Sequence, residues 1–171
     1  SFHNESLVGK TLEHVAKERE MLPEDVAISI VQEGKVRLAS FNMNKSDVDN
    51  FMRQTWVVTS SDGSDGHPRK YASFPQKLNQ FVNKERLMSL TDFLYKSTTQ
   101  SAKFLRLDNR GSIRPGYYAD IVIFDPKEIK VNADFTNWNR LSEGMLHVIV
   151  NGEQVIIEGK NSDKLAGRFV Q

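Results

Sequence analysis

Trp56-Val57-Val58-Thr59-Ser60-Ser61-Asp62-Gly63-Ser64-Asp65-Gly66-His67-Pro68-Arg69 changes character partway along its length. The first four residues are aromatic and β-branched, and read as a short buried strand. The rest holds two glycines, a proline, two carboxylates, an imidazole and a guanidinium, which is the chemistry of a loop. A carboxylate at the C-terminal end of a buried parallel strand is where barrel enzymes place catalytic groups. The competing reading is a polar loop in which Asp62 only caps an Asp-Gly turn. Converging at a strand end, Asp62, His67 and Arg69 would move a proton and hold an anionic substrate group. The plainer alternative for Arg69 is a surface ion pair with Asp65.

Upstream of this stretch, Leu12, Val15 and Ala16 make one apolar stripe of a helix, with Thr11 as its N-cap. Pro23 opens a second helix that Gly34 ends. Val36 to Phe41 is a strand candidate. Ser46 then caps a helix carrying Val48, Phe51 and Met52 inward. Strand, helix and the Trp56 strand together read as a βαβ unit, and hence as a parallel pair.

Downstream, Tyr71 to Pro75 leads into a helix through Leu78, Phe81 and Val82. Ser89 opens another helix, which Ser97-Thr98-Thr99 breaks into two pieces. Its buried face is expected to include Phe93, Leu94, Ala102, Phe104 and Leu105. Near Asp108 to Gly111 the apolar period shifts from 3.6 to 2. That shift places a domain boundary between 1–108 and 109–171. Ala119 to Phe124 reads as a buried strand closed by Pro126. His147–Val150, Asn151-Gly152 and Gln154–Ile157 form a hairpin signal, since Asn-Gly suits the two positive φ values of a tight turn. Asn132 to Glu143 is an irregular connector anchored by Phe135 and Trp138, and the tail from Lys160 lies over the surface.

The bulk properties exclude several classes. The 23 basic and 22 acidic side chains leave a net charge of +1, so there is no footprint for nucleic acid or an anionic membrane. No apolar run is long enough to span a bilayer. Cysteine is absent, which removes disulfides and thiolate metal sites. His3, His14, His67 and His147 make no HxH or HExxH pair, so no self-contained zinc site is expected. His14 reads as solvent-facing on its helix and His147 as structural. The first residues lack a methionine and a signal-peptide pattern, as expected of a processed chain or a piece of a longer one.

Ser61-Asp62-Gly63, then His67-Pro68-Arg69 and Phe74-Pro75, resemble the eighth-strand loop of the D-aminoacylase (N-acyl-D-amino-acid deacylase) branch of the amidohydrolase superfamily. Gly111 to Asp125 is similar to the segment by which amidohydrolases leave their barrel and enter a small β-sandwich, and Val148 to Gly152 resembles the hairpin that ends it. His3-Asn4-Glu5 and Met43 to Val48 also fit the resemblance. It implies an α/β fold: the C-terminal βα units of a (β/α)8 barrel over residues 1–108 and part of an all-β sandwich over 109–171. It implies zinc-assisted hydrolysis of the amide of an N-acyl-D-amino acid, the metal lowering the pKa of water and polarising the carbonyl. In that scheme Asp62 is the catalytic proton carrier, Arg69 pairs with the substrate carboxylate, and His67 contributes to substrate binding by proximity.

The departures from the family pattern are equally informative. The family's HxH, its metal-bridging residue and its later histidine ligands have no counterpart in this sequence, and the loop from Asp62 to Arg69 is shorter than usual. No zinc is therefore expected on this chain alone, and the chain is expected to be inactive by itself. A barrel cut in this way is expected to self-associate or to pair with its missing half. A cytoplasmic location goes with the resemblance. Two alternatives stay open: a fragment of a cyclic-amide hydrolase of dihydropyrimidinase type, and a non-catalytic module that binds a ligand or a partner chain.

Overall fold

The computed structural model describes residues 5–34, 38–63 and 65–170. His3 and Asn4, the Val36-Arg37 start of the first expected strand, and Ser64 lie outside the described residues. The chain forms two compact units, Ser1–Asn42 and Met43–Gln171.

The first unit is a helical hairpin of α1 (Leu12–Arg19) and α2 (Pro23–Glu33). Thr11 caps α1 by accepting from the His14 N–H, and Glu20 turns left-handed at φ 52° to end it. Pro23 can open α2 because the first turn of a helix needs no N–H there. Val26 is fully buried against Val15 and Ala16, while Leu12, the third member of the stripe, stays exposed. Arg19 ties the two helices by donating to Ser29 Oγ at 3.2 Å and Glu33 Oε1 at 3.0 Å.

The second unit begins with α3 (Lys45–Arg53). Its N-cap is Asn44, whose Oδ1 accepts from the Ser46 N–H at 2.9 Å, so the helix starts earlier than the expected Ser46 cap. Val48 and Met52 face the core as expected, while Phe51 is exposed. Helix α4 (Arg69–Lys77) runs into a π-helical segment, Leu78–Lys84. This helix begins directly after Pro68 and includes Tyr71 to Pro75, which had read as a lead-in. Pro75 cannot donate to the Tyr71 carbonyl one turn back, and Ser142 Oγ donates to that carbonyl at 3.3 Å instead. Helices α5 (Leu90–Ser97) and α6 (Thr99–Phe104) are the two expected pieces, and a Ser89–Asp92 capping box starts α5. Phe93 and Ala102 are buried, whereas Leu94, Phe104 and Leu105 face outward.

The sheet is antiparallel, with β1 (Ile121–Phe124), β2 (Met145–Val150), β3 (Glu153–Ile157) and β4 (Lys160–Asn161) paired in sequence order. Asn151 and Gly152 take the positive φ values, 49° and 87°, that the hairpin turn requires. The tail contributes β4 rather than lying wholly over the surface. In β1, Val122 and Ile123 are about half exposed, so this strand is not the buried one expected. Leu78, Phe81, Met88, Phe93 and Ile129 form the core, with Phe124 and Met145 packed against it. Helices and sheet thus share one apolar interior, and the division expected at 108 falls within this unit.

The expected parallel pair does not form among the described residues. Residues 38–41 are not in a strand, Thr55 and Trp56 make a turn, and 57–60 run on without a ladder. Trp56 is exposed, its edge against the Phe51 ring at 6.1 Å. Parallel strands are stable when flanked by other strands and covered on both faces. The described residues offer neither to this stretch.

Candidate functional site

The loop after Thr59 brings its chemical groups together around Arg69. As the first residue of α4, Arg69 has a backbone N–H with no partner inside the helix, and it donates to His67 Nδ1 at 3.1 Å. The guanidinium folds back over the loop: Nε donates to the Asp62 backbone oxygen at 3.1 Å, and Nη2 lies 2.6 Å from Asp62 Oδ2. One side chain therefore holds both the carboxylate and the main chain of the same residue. Asp65 pairs with Lys70 at 2.9 Å. Asp62 and Arg69 remain open to solvent, at 69% and 42% side-chain exposure, so a small molecule reaches both.

His67 sits lower in the loop, its ring edge-on to Phe135 with centroids 5.0 Å apart. Burial lowers its pKa first and the nearby Arg69 cation lowers it further, while Asp62 pulls the other way. The ring is thereby kept neutral and able to accept at Nδ1. Phe135 was legible as an anchor of the connector; that it would anchor His67 was not. Trp138 packs against Tyr71 at 5.9 Å, so the connector runs along the start of α4.

His14 is exposed and lies 3.2 Å from Glu18, and His147 is on β2 with Nδ1 buried and without a hydrogen bond. Among the described residues, no three His, Cys, Asp or Glu side chains gather to hold a metal ion. No helix there is long and apolar enough to cross a membrane. A cleft of about 350 Å³ opens elsewhere, between α6 and the Arg110 to Tyr117 turn. It contains none of the loop residues, and the convergence of groups at Asp62 is the better guide to chemistry.

Sequence reasoning missed Lys77 and Lys96, which are buried with Thr59 just behind the loop. A helical lysine reads as a solvated side chain, and no local pattern marks these two as interior.

A family model described as "Amidohydrolase family" matches residues 17–156. A D-aminoacylase of Alcaligenes xylosoxydans xylosoxydans is 31% identical over 168 residues, which is 96% of this chain and 34% of that protein. An N-acyl-D-aspartate deacylase of the same organism is 35% identical over 119 residues, 67% of this chain and 24% of that protein. A solved D-aminoacylase structure superposes with a TM-score of 0.82 at 30% identity, covering 96% of this chain and 35% of that one. The chain thus spans about a third of the length of the relatives it matches.

Proposed function

The chain belongs to the amidohydrolase family, and on that premise we propose that it supplies the proton-transfer carboxylate and the substrate-carboxylate clamp of an N-acyl-D-amino-acid deacylase. Residues 1–108 are assigned to the last βα units of the (β/α)8 barrel and residues 109–171 to part of the β-sandwich. The stretches at 38–41 and 57–60, which are not in strands here, support this, because both would find strand partners in a complete barrel. The same stretches are the natural place for pairing with the rest of a barrel or with a second copy. The cytoplasmic location goes with the resemblance.

The Asp62–Arg69 contact carries the proposal. In an N-acyl amino acid the carboxylate and the scissile nitrogen sit on the same carbon. A group that binds the first and a group that protonates the second must therefore be neighbours, and Asp62 Oδ2 lies 2.6 Å from Arg69 Nη2. Arg69 forks onto the substrate carboxylate, Asp62 takes a proton from the attacking water and gives it to the leaving amine, and His67 holds the first turn of α4 in place. Zinc is the metal implied by the family resemblance. The described residues form no ligand set for it, so the steps assigned to this chain are a salt bridge and a proton transfer.

Amine release from N-acetyl-D-amino acids tests the reading. The isolated chain should give none above blank, and turnover by it would overturn its inactivity alone. Grafted onto the preceding two-thirds of the D-aminoacylase relative, it should restore release, and Asp62→Asn should abolish it. Undiminished activity in that graft variant would defeat the Asp62 assignment. Opening of hydantoins in place of acyl release would favour the cyclic-amide alternative.

A further inference from the structure

Two lysines are buried with no carboxylate in contact with them among the described residues. Lys77, at the end of α4, is 7% exposed, and Lys96, on α5, is 6% exposed. Neither forms an ion pair among the described residues. Lys77 Nζ donates to Thr59 Oγ1 at 2.9 Å, and that hydroxyl lies 2.8 Å from Ser97 Oγ on α5. The Thr59 N–H donates to the Lys96 carbonyl at 3.4 Å. Lys96 Nζ reaches the other end of the same stretch, donating to the carbonyls of Met52 at 2.9 Å and Gln54 at 2.5 Å.

An ammonium without a counter-ion is an expensive group to bury. Here burial, reinforced by the Lys96 cation, holds the Lys77 amine down to about 8. Burial depresses Lys96 as well, against the opposing pull of Asp92 on its own helix. An apolar side chain would fill either place without that cost. What the two amines provide is attachment: the stretch between α3 and the Asp62 loop has no strand ladder among the described residues, yet it is fastened at Gln54 and Thr59, and at Met52 in the last turn of α3. Thr59 stands three residues before Asp62.

We propose that Lys77 and Lys96 are positioning residues that fasten the 52–59 backbone to α4 and α5 and so set where the Asp62 carboxylate stands relative to Arg69. The proposal rests on Asp62 being the proton carrier, but its tests do not involve turnover.

The experiment compares Lys77→Met, Thr59→Val and Thr59→Ser in this chain at pH 7. Three quantities are read: amide hydrogen exchange at 57–62, the Arg69 Nε–H resonance, and the melting temperature. In Lys77→Met and Thr59→Val, exchange at 57–62 should quicken at least tenfold, and the Arg69 Nε–H should lose its hydrogen-bonded shift. Thr59→Ser, which keeps the hydroxyl, should match the parent. Lys77→Met should also melt no lower than the parent, since a buried charge is gone. Unchanged exchange at 57–62 would overturn the proposal. So would a fall in melting temperature with exchange quickened evenly across all helices, because that is the signature of lost packing alone. Either negative result leaves the deacylase assignment standing; failure of the graft assay leaves the lysine attachment standing.

Discussion

Arg69 binds Asp62 twice, by Nη2 to the carboxylate at 2.6 Å and by Nε to the backbone oxygen at 3.1 Å. On the proposed reading, a substrate carboxylate must therefore share the fork with Asp62 or displace it. Because both side chains are substantially exposed, the pair contributes little to stability, at most about 1 kcal/mol. Arg69→Ala should leave the melting curve of this chain nearly unchanged. In the complete enzyme it should lower kcat/KM roughly 10- to 100-fold, the equivalent of about 1.5–3 kcal/mol for a charge-assisted hydrogen bond, mainly through KM. A loss confined to kcat would argue against carboxylate binding.

The imidazole of His67 accepts at Nδ1, and acceptance ends on protonation. Its folded pKa is lowered from the ordinary value of 6.5, by burial first. The stabilisation is therefore fully present above 6.5 and fades as pH falls through the lower folded value. A proton NMR titration of the ring should show a midpoint below that of a model peptide. Loss of the Arg69 amide's bonded shift should track the same midpoint. Titration at or above 6.5 would contradict the burial.

Lys77 has a pH dependence of the same sign, in a more alkaline window. Below about pH 8 both folded and unfolded chains carry the proton, and the folded one bears the penalty of a buried ammonium. Between about 8 and the ordinary value of 10.5 the unfolded chain binds more protons, so stability should rise with pH across that window. The relief is on the order of 3 kcal/mol. Urea melts of the parent at pH 7.5 and 10 should differ by more than those of Lys77→Met, in which the rise should shrink. An equal rise in both would locate the effect elsewhere.

Two glycines at positive φ should respond differently to alanine. Gly152, at φ 87°, has open space where a Cβ would stand, so Gly152→Ala should cost about 1–2 kcal/mol of backbone strain. At Gly144, φ 98°, the added Cβ would lie 2.5 Å from the Glu128 carbonyl oxygen and 2.9 Å from the Ile129 Cα. Gly144→Ala should cost several kcal/mol and disturb Ile129, a member of the core. Denaturant midpoints of the two variants check the order.

Much of the architecture was legible because local signals and tertiary structure agreed. Thr11, Pro23, the Ser89–Asp92 box and Asn151-Gly152 each act within a few residues of themselves, so their sequence reading survives whatever the rest of the chain does. The Trp56 run failed as a strand because strands depend on distant neighbours, and its apolar composition described a setting that the described residues do not supply. At the site, Asp62, His67 and Arg69 could be read together because fourteen consecutive residues contain them all. Lys77 and Lys96 could not: they come from separate segments far along the chain, and lysine is a residue type usually found on the surface.

The interior built from Leu78, Phe81, Met88, Phe93 and Ile129 draws Phe124 and Met145 onto it from the sheet. A polypeptide stopped at residue 108 would bare a greasy floor where Ile129 had rested. The β segment is thus a roof for the helices, and the two are expected to melt in a single step.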